Sequence, residues 1–391
     1  MNRKKTSGKS WLYMPLLLFI AIIIISLWVV SFYRQPDDSS LEKISDETLP
    51  VPQIEFAPKH YVCYRTAAPL VIDGRPDEEA WRKAPWTEAF VDIEGESKPL
   101  PRFNTRAKML WDDTYFYVAA EMEEPDVWAT LLRRDAVIYH DNDFEVFIDP
   151  DGDAHEYYEL EVNAFNTQWD LFLLKPYRDG GPAVNAWDIQ GLKTAVYIDG
   201  TLNQPGDKDS GWSIEIAFPW EVLKECAHQP TPPADGDQWR VNFSRVEWRT
   251  DIEDGRYIKK TDPATGTALS EDNWVWSPQG LIAMHYPEMW GLVQFSERTA
   301  GGDWVEFESR PEENAAQPLW RIYYAQRTHF MQYGRYTQDI DRLGITDEMK
   351  PDGYLWPPEI HTTPNQFEAS IEFSKDKNKL HIDQAGHVWK D

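Results

Sequence analysis

The stretch 139-YHDNDFEVFIDPDGDAHEYYELEVNAFNTQWDL-171 decides the fold. Phe144, Val146 and Ile148 alternate with Asp143, Glu145 and Phe147, the period of two that sends side chains to opposite faces of a strand. Asp149-Pro150-Asp151-Gly152-Asp153 is turn chemistry. The alternation then resumes, with Tyr158, Leu160 and Val162 on one side and Glu159, Glu161 and Asn163 on the other. Asn166-Thr167-Gln168 turns again, and Trp169 begins a third strand. One sheet therefore has an apolar face and a face of Asp143, Glu145, Glu161 and Asn163. Carboxylates and amides beside aromatic rings suit sugar hydroxyls, which need paired hydrogen bonds and a flat apolar surface. An ordinary antiparallel sheet with one wetted side shows the same alternation, and on these residues alone that plainer reading leads.

Working outward, the N-terminus carries Arg3, Lys4, Lys5 and Lys9 ahead of an apolar run from Trp11 to Tyr33. That run is long enough to span a bilayer, which takes about 20 residues. Its bulky end lacks a small-residue cleavage site, so it reads as a single-pass signal anchor at 11–33. The basic flank 1–10 stays cytoplasmic and the rest is extracytoplasmic, at the cell surface or in a periplasm. Residues 34–58 are polar, acidic and proline-containing, and read as a linker. Over 391 residues the formal charge is −27; taking Arg34 and the four flanking cations from the 39 basic residues leaves 34 against 66 acidic ones, a net of −32. Such a charge excludes nucleic acid and an anionic membrane surface as ligands of the exported part. A neutral polysaccharide or oligosaccharide remains compatible with it, as do a cation and an envelope protein partner.

Beyond the central stretch, 61–86 reads as a strand, an Asp73-Gly74 turn and a short helix. Residues 107–119 form a hairpin turning at Asp112-Asp113. Strands follow over Trp187–Val196, from Gly211 to a break at Pro219, over 237–248, and at the close of the sheet before Phe295. Short strands with turns between them over 59–297 predict a mainly β fold, one antiparallel β-sandwich. Residues 298–391 read as a small α+β appendage, a helix around Leu319–Tyr333 and a hairpin beyond Phe367. Cys63 and Cys226 are the only cysteines and would pair only if the fold brought them together.

The pieces VIDGRPDEEAW, MLWDDTYFYVAAEMEEPDV, DNDFEVFIDPDGD, YYELEVNAFN, GWSIEIAFPWEVL, WRVNFSRVEW and PEMWGLVQF occur in an order that resembles family 9 carbohydrate-binding modules, over Tyr61 to Phe295. The resemblance implies a β-sandwich related to the DOMON-like fold, non-catalytic sugar binding, structural calcium, and attachment to polysaccharide catabolism through xylanases and other O-glycosyl hydrolases. In that family two tryptophans hold a sugar ring, with Glu, Arg and Asn supplying polar contacts. The Glu falls on Glu145 and the Asn on Asn163, while the Arg position is Glu161, a reversal of charge. The first tryptophan falls on Tyr139. The second falls on Met284, beside His285. Trp169 and Trp187 are further aromatic candidates.

Other chemistries are weaker. Asp149, Asp151 and Asp153 begin like an EF-hand loop, but Ala154 and Leu160 stand where Gly and Glu are required, so that motif is excluded. A calcium site of the family's own kind at these three residues stays open. Asp143 and Glu145 share one strand face and cannot flank a glycosidic bond from both sides. Haem ligation through His155, Met284 or His285 has no CxxCH support. A module that kept the fold and lost sugar binding for a protein partner in the cell envelope is the main alternative.

Overall fold

The computed structural model of the chain describes residues 43–391. The basic flank and the predicted anchor at 11–33 lie outside them; among the described residues no helix is long and apolar enough to cross a membrane. In chain order the sandwich holds β1 (His60–Arg65), α1 (Glu79–Lys83), β2 (Val91–Asp92), β3 (Thr105–Trp111), β4 (Tyr115–Glu123), β5 (Asp143–Asp149), β6 (Tyr157–Asn163), β7 (Gln168–Leu173), β8 (Ala183–Val184), β9 (Lys193–Asp199), β10 (Gly211–Pro219), α2 (Trp220–Leu223), β11 (Gln238–Glu247), β12 (Thr250–Glu253), β13 (Arg256–Lys259), β14 (Asp272–Val275) and β15 (Gly291–Thr299). The appendage holds α3 (Pro311–Tyr333) and β16 (Glu359–Thr362), β17 (Phe367–Glu372), β18 (Lys379–Asp383) and β19 (Val388–Lys390).

The main sheet runs β8-β7-β6-β5-β11-β15-β1-β3-β4-β10-β9 and folds over on itself. Its inner faces enclose one core: Phe144, Val146, Ile148, Tyr158, Leu160 and Val162 from one layer meet Ala107, Met109, Trp111, Phe116, Val118, Ile214 and Ile216 from the other. The apolar half of the central stretch is thus the inside of the sandwich, as its alternation predicts. Two departures from the all-antiparallel expectation occur at β1, which pairs in parallel with both β15 and β3. The strand predicted from Trp187 begins only at Lys193; residues before it form turns, and Trp187 packs instead on Tyr158. Cys63 and Cys226 are both buried free thiols.

The linker and the appendage also differ from expectation. Residues 43–58 do not stand free of the fold: Ile44 N–H donates to Gln332 O (2.7 Å), Gln53 N–H donates to Gly280 O (3.0 Å), and Leu49 is buried. Leu49 shares a core with Tyr286 and Met289 of the sandwich, with Leu319, Trp320 and Tyr323 of α3, and with Ile371 and Ile382 of the small sheet. The predicted hairpin is a four-stranded antiparallel sheet, β16-β17-β18-β19, against which α3 packs.

A buried polar seam crosses the sandwich. Arg245 donates to Glu247 (2.9 Å) and Glu124 (3.4 Å), and Asn142 donates to Glu247 (3.0 Å) and Glu124 (2.6 Å). Two acids share one buried guanidinium. Burial, and then the charge of Glu124, holds the Glu247 carboxyl up at about 8. A carboxyl raised in the folded state stabilises the fold below its unfolded value, near 4.5, and that stability fades as pH rises through 8. The expected outcome is a melting temperature lower at about pH 8.5 than at about pH 5.5, with a smaller fall in Glu247→Gln, measured by thermal melts across pH.

Candidate functional site

The outward face of β5, β6 and β7 carries the polar half of the central stretch. Antiparallel register sets Asp143 opposite Asn163, Glu145 opposite Glu161 and Phe147 opposite Glu159. On the other side, Trp169 lies opposite Glu161 and Leu171 opposite Glu159. Ser244 of β11 pairs with Glu145. Four carboxylates therefore sit on one patch, since diagonal neighbours across strands are also within reach of each other. Asp143, Glu145 and Glu161 each bring an oxygen within 4.8 Å of the others. Glu145 is only 5 % exposed, and Asp143, Glu159 and Glu161 are buried too.

This environment favours neutral carboxyls. Burial, opposed by Ser244 and reinforced by the charge of Glu271, pushes Glu145 up to about 7. Burial and neighbouring carboxylates push Asp143, Glu159 and Glu161 well above the usual range. Glu161 also accepts the Tyr139 backbone N–H (2.9 Å), so it fixes the segment that carries that ring.

Aromatic rings border the patch. Tyr139 is 38 % exposed and its ring lies 6.5 Å from that of Trp169. Trp248 donates its indole N–H to Tyr139 O (2.9 Å), and the Lys259 ammonium, brought in by the β12–β13 hairpin, sits 3.2 Å from the Trp248 ring centre. At the other border stands Tyr177, 52 % exposed and packed edge-on against His285 at 4.4 Å. Tyr139 is tied to the acids through its backbone N–H on Glu161, and Tyr177 through His285, whose Nε2 lies 4.0 Å from Glu159.

The sequence-predicted residues divide accordingly. Tyr139, Glu145, Glu161 and Trp169 come together. Asn163 is at the edge of the patch, but its amide is spent: it donates to Leu131 O and Asp141 (both 2.9 Å) and accepts from Phe165 N–H and Thr167 N–H (both 3.1 Å). It closes the turn after β6 and has nothing left for a hydroxyl. Met284, expected as the second wall, is 9 % exposed and packs with Phe147, Tyr157 and Trp290. His285 is half-buried, with 18 % of its side chain exposed, shares a hydrogen bond with the Tyr157 hydroxyl (2.8 Å), and is pulled down to about 3 by desolvation and by Arg178. Trp187 stacks on Tyr158 at 5.1 Å, on the core side of β6, so it lies away from the acids. Tyr177 supplies the second exposed ring. No periodicity marks it, because it sits in the short Tyr177–Asp179 helical turn after β7.

Haem ligation finds no support in this geometry, since His155 spends Nε2 on Ala385 O (2.9 Å), Met284 is packed inward and His285 Nδ1 is bonded to the Tyr157 hydroxyl. The acids also share one floor, closer together than the two carboxyls of either hydrolytic geometry. The turn at Asp149, Asp151 and Asp153 brings oxygens of the kind calcium takes within 4.8 Å. The oxygens of Asp149 and Asp153 are already engaged. Asp149 accepts Gly152 N–H (2.9 Å) and Ala154 N–H (3.0 Å), while Asp153 accepts His155 N–H (2.7 Å) and binds His387 (3.1 Å). The turn is held by its own backbone and fits a calcium ion poorly. A separate recess of about 440 Å³, lined by Arg75, Arg106, Glu121 and Tyr197, lies across the β4–β10 layer and touches none of these residues.

Residues 72–265 match the model of a family described as carbohydrate family 9 binding domain-like. Among curated relatives, the exoglucanase XynX of Acetivibrio thermocellus is 28% identical over 153 residues, 39% of this chain and 12% of the relative. The endo-1,4-beta-xylanase A of Thermoanaerobacterium saccharolyticum is 27% identical over 153 residues, 39% of this chain and 11% of the relative. The chain thus spans about an eighth of the length of the curated relatives it matches. Of solved structures, a family 9 carbohydrate-binding module from Caldicellulosiruptor kristjanssonii in complex with cellotriose aligns with a TM-score of 0.40 at 16% identity, over 63% of this chain and 99% of the other. A putative carbohydrate-binding protein from Bacteroides uniformis aligns at 0.45 and 14%, over 61% and 100%. The matched segment begins at the Asp73-Gly74 turn and takes in α1, the central stretch and β11, whereas β1 and β15 complete the same sheet from outside it. Residues 72–265, within a mainly β fold, are thus similar to the family 9 carbohydrate-binding domains.

Proposed function

We propose that the acid-floored patch of β5, β6 and β7 binds carbohydrate without transforming it, in a module tied to the outside of the cell and serving the breakdown of xylan- or cellulose-type polysaccharide. The observation that carries this reading is the pair of exposed rings, Tyr139 held at Glu161 and Tyr177 packed on His285 beside Glu159. Rings of this kind offer a sugar its flat apolar surface, and carboxyl groups beneath them accept or donate to hydroxyls. The family model matched and the xylanase and exoglucanase relatives support the substrate class. The apolar run at 11–33, preceded by four cations, supports a membrane anchor with the sandwich on the extracytoplasmic side.

Calorimetry of the full chain against xylo- and cello-oligosaccharides tests it. Binding is expected, with Tyr139→Ala and Tyr177→Ala each weakening it about tenfold or more, the size of one lost stacking ring. An affinity unmoved by both substitutions would overturn the assignment of the site. Absence of binding to any of these sugars would favour a second reading, an envelope module that recognises a protein. The committed amide of Asn163 and the deep burial of Glu145 are the observations on that side.

A further inference from the structure

The acid patch holds more carboxylates than its surroundings neutralise. Two of its oxygens, Asp143 Oδ2 and Glu159 Oε2, are buried without a hydrogen-bond partner. Such orphans are uncommon in folded proteins, because each forfeits its hydration with no return. The nearest ring nitrogen, His285 Nε2, lies 4.0 Å from Glu159, beyond hydrogen-bond reach. Among the described residues no lysine or arginine pairs with any of the four acids, and the charges acting on them are those of other carboxylates. In the turn at Asp149–Asp153, by contrast, both oxygens of Asp149 and of Asp153 have hydrogen-bond partners.

From these orphaned and converging oxygens we infer that Asp143, Glu145 and Glu161, with Glu159 beside them, form a binding site for an oxygen-preferring divalent cation, calcium above all. Calcium takes six to eight oxygens at about 2.3–2.6 Å, so ligands on opposite sides of one ion lie up to about 5 Å apart. The three carboxylates meet that span. They come from two adjacent strands, with Ser244 on a third, so rigid sheet elements hold the donor set. Calcium accepts acid and hydroxyl oxygens alike and has no use for the His or Cys ligands that are missing. A bound ion would relieve the repulsion among the carboxylates. The ion itself does not depend on the carbohydrate reading.

The test is the number of calcium ions bound per full-length chain, by calorimetry after chelator treatment, together with the melting temperature. Wild type is expected to bind calcium and to melt several degrees higher with it. Glu161→Gln and Asp143→Asn are each expected to remove one ion per chain or weaken its affinity more than tenfold, while melting no lower than wild type without calcium, since each replaces a carboxyl crowded by other acids with an uncharged amide. Glu159→Gln, checked for folding by circular dichroism, keeps the test open should either variant misfold. Unchanged stoichiometry and affinity in these variants would overturn the inference. Loss with Asp151→Asn in their place would move the ion to the turn and overturn it equally. Calcium binding without sugar binding would leave the cation site standing and fell the carbohydrate reading alone.

Discussion

Replacing Arg178 by alanine is expected to cost about 3–5 kcal/mol of stability, the range for removing one partner of a buried ion pair. Arg178 lies in the turn after β7 and reaches Glu288, just ahead of β15, through two hydrogen bonds of 2.8 and 2.9 Å. Both side chains are almost fully buried, at 6 % and 1 % exposure. The guanidinium sits over the Tyr286 ring at 4.2 Å, and Tyr324 of α3 donates its hydroxyl to the same Glu288 carboxylate. Next to it, Asp179 accepts from Tyr323 (2.6 Å) and pairs with Arg327, both on α3. Sandwich and appendage are thus joined through a charged clasp inside a shared apolar core. Alanine would strand the Glu288 charge where water cannot reach it. Lysine would fare little better, because a point ammonium cannot reproduce the paired fork. Chemical denaturation of the full chain measures the loss, and proteolysis in the 300–310 connector should rise with it. Lys83→Ala is the comparison. Its pair with Glu79 is exposed at both ends and should contribute little. An Arg178→Ala effect no larger than that would mean the appendage is docked by its apolar contacts alone.

The legible parts of this chain were those where local pattern and tertiary role coincide. In the central stretch one alternation gave both the core face and the acid face, because β5 and β6 are buried on each side and a slip of one residue would exchange them. The resemblance supplied Tyr139, Glu145 and Glu161 in register. What it could not supply was use: Asn163 sits where expected, yet the turn behind it consumes every polar atom it has. Met284 shows the same gap, its position matching while its side chain fills a small core. Tyr177, Trp248 and Lys259 reach the patch from loops and a hairpin that no period announces, and only the packing of distant segments puts them there. The docked linker was unreadable for a related reason. Leu49 is one apolar residue in a polar run, and its burial depends on α3, nearly three hundred residues later.

The second large effect is expected at Glu215, where the resemblance has a physical cause. The Asp73-Gly74 turn and Trp81, pieces of one motif, converge on this residue of another. Glu215 Oε2 accepts the N–H groups of Asp73 (2.9 Å) and Gly74 (2.8 Å), and Oε1 accepts the indole N–H of Trp81 (2.7 Å). Ser213, two residues earlier on β10, donates back to Gly74 O (2.6 Å). Gly74 is required there: its φ is +87°, and a Cβ would stand 2.6 Å from the β9 backbone at Val196 and Tyr197. Glu215→Ala strips an acceptor from three donors at once, two of them on groups with no route to solvent. At roughly 1–3 kcal/mol for each buried donor left unmade, the loss should exceed about 3 kcal/mol. Glutamine rescues little, since its amide nitrogen would point a donor at donors. Gly74→Ala should cost a similar amount through strain and overlap. Because both break one clasp, the double variant should lose little more than the worse single one. Chemical denaturation of the four proteins decides it: strictly additive losses would mean that turn and carboxylate stabilise the sandwich independently, and that the spacing of the two motifs is no sign of their contact.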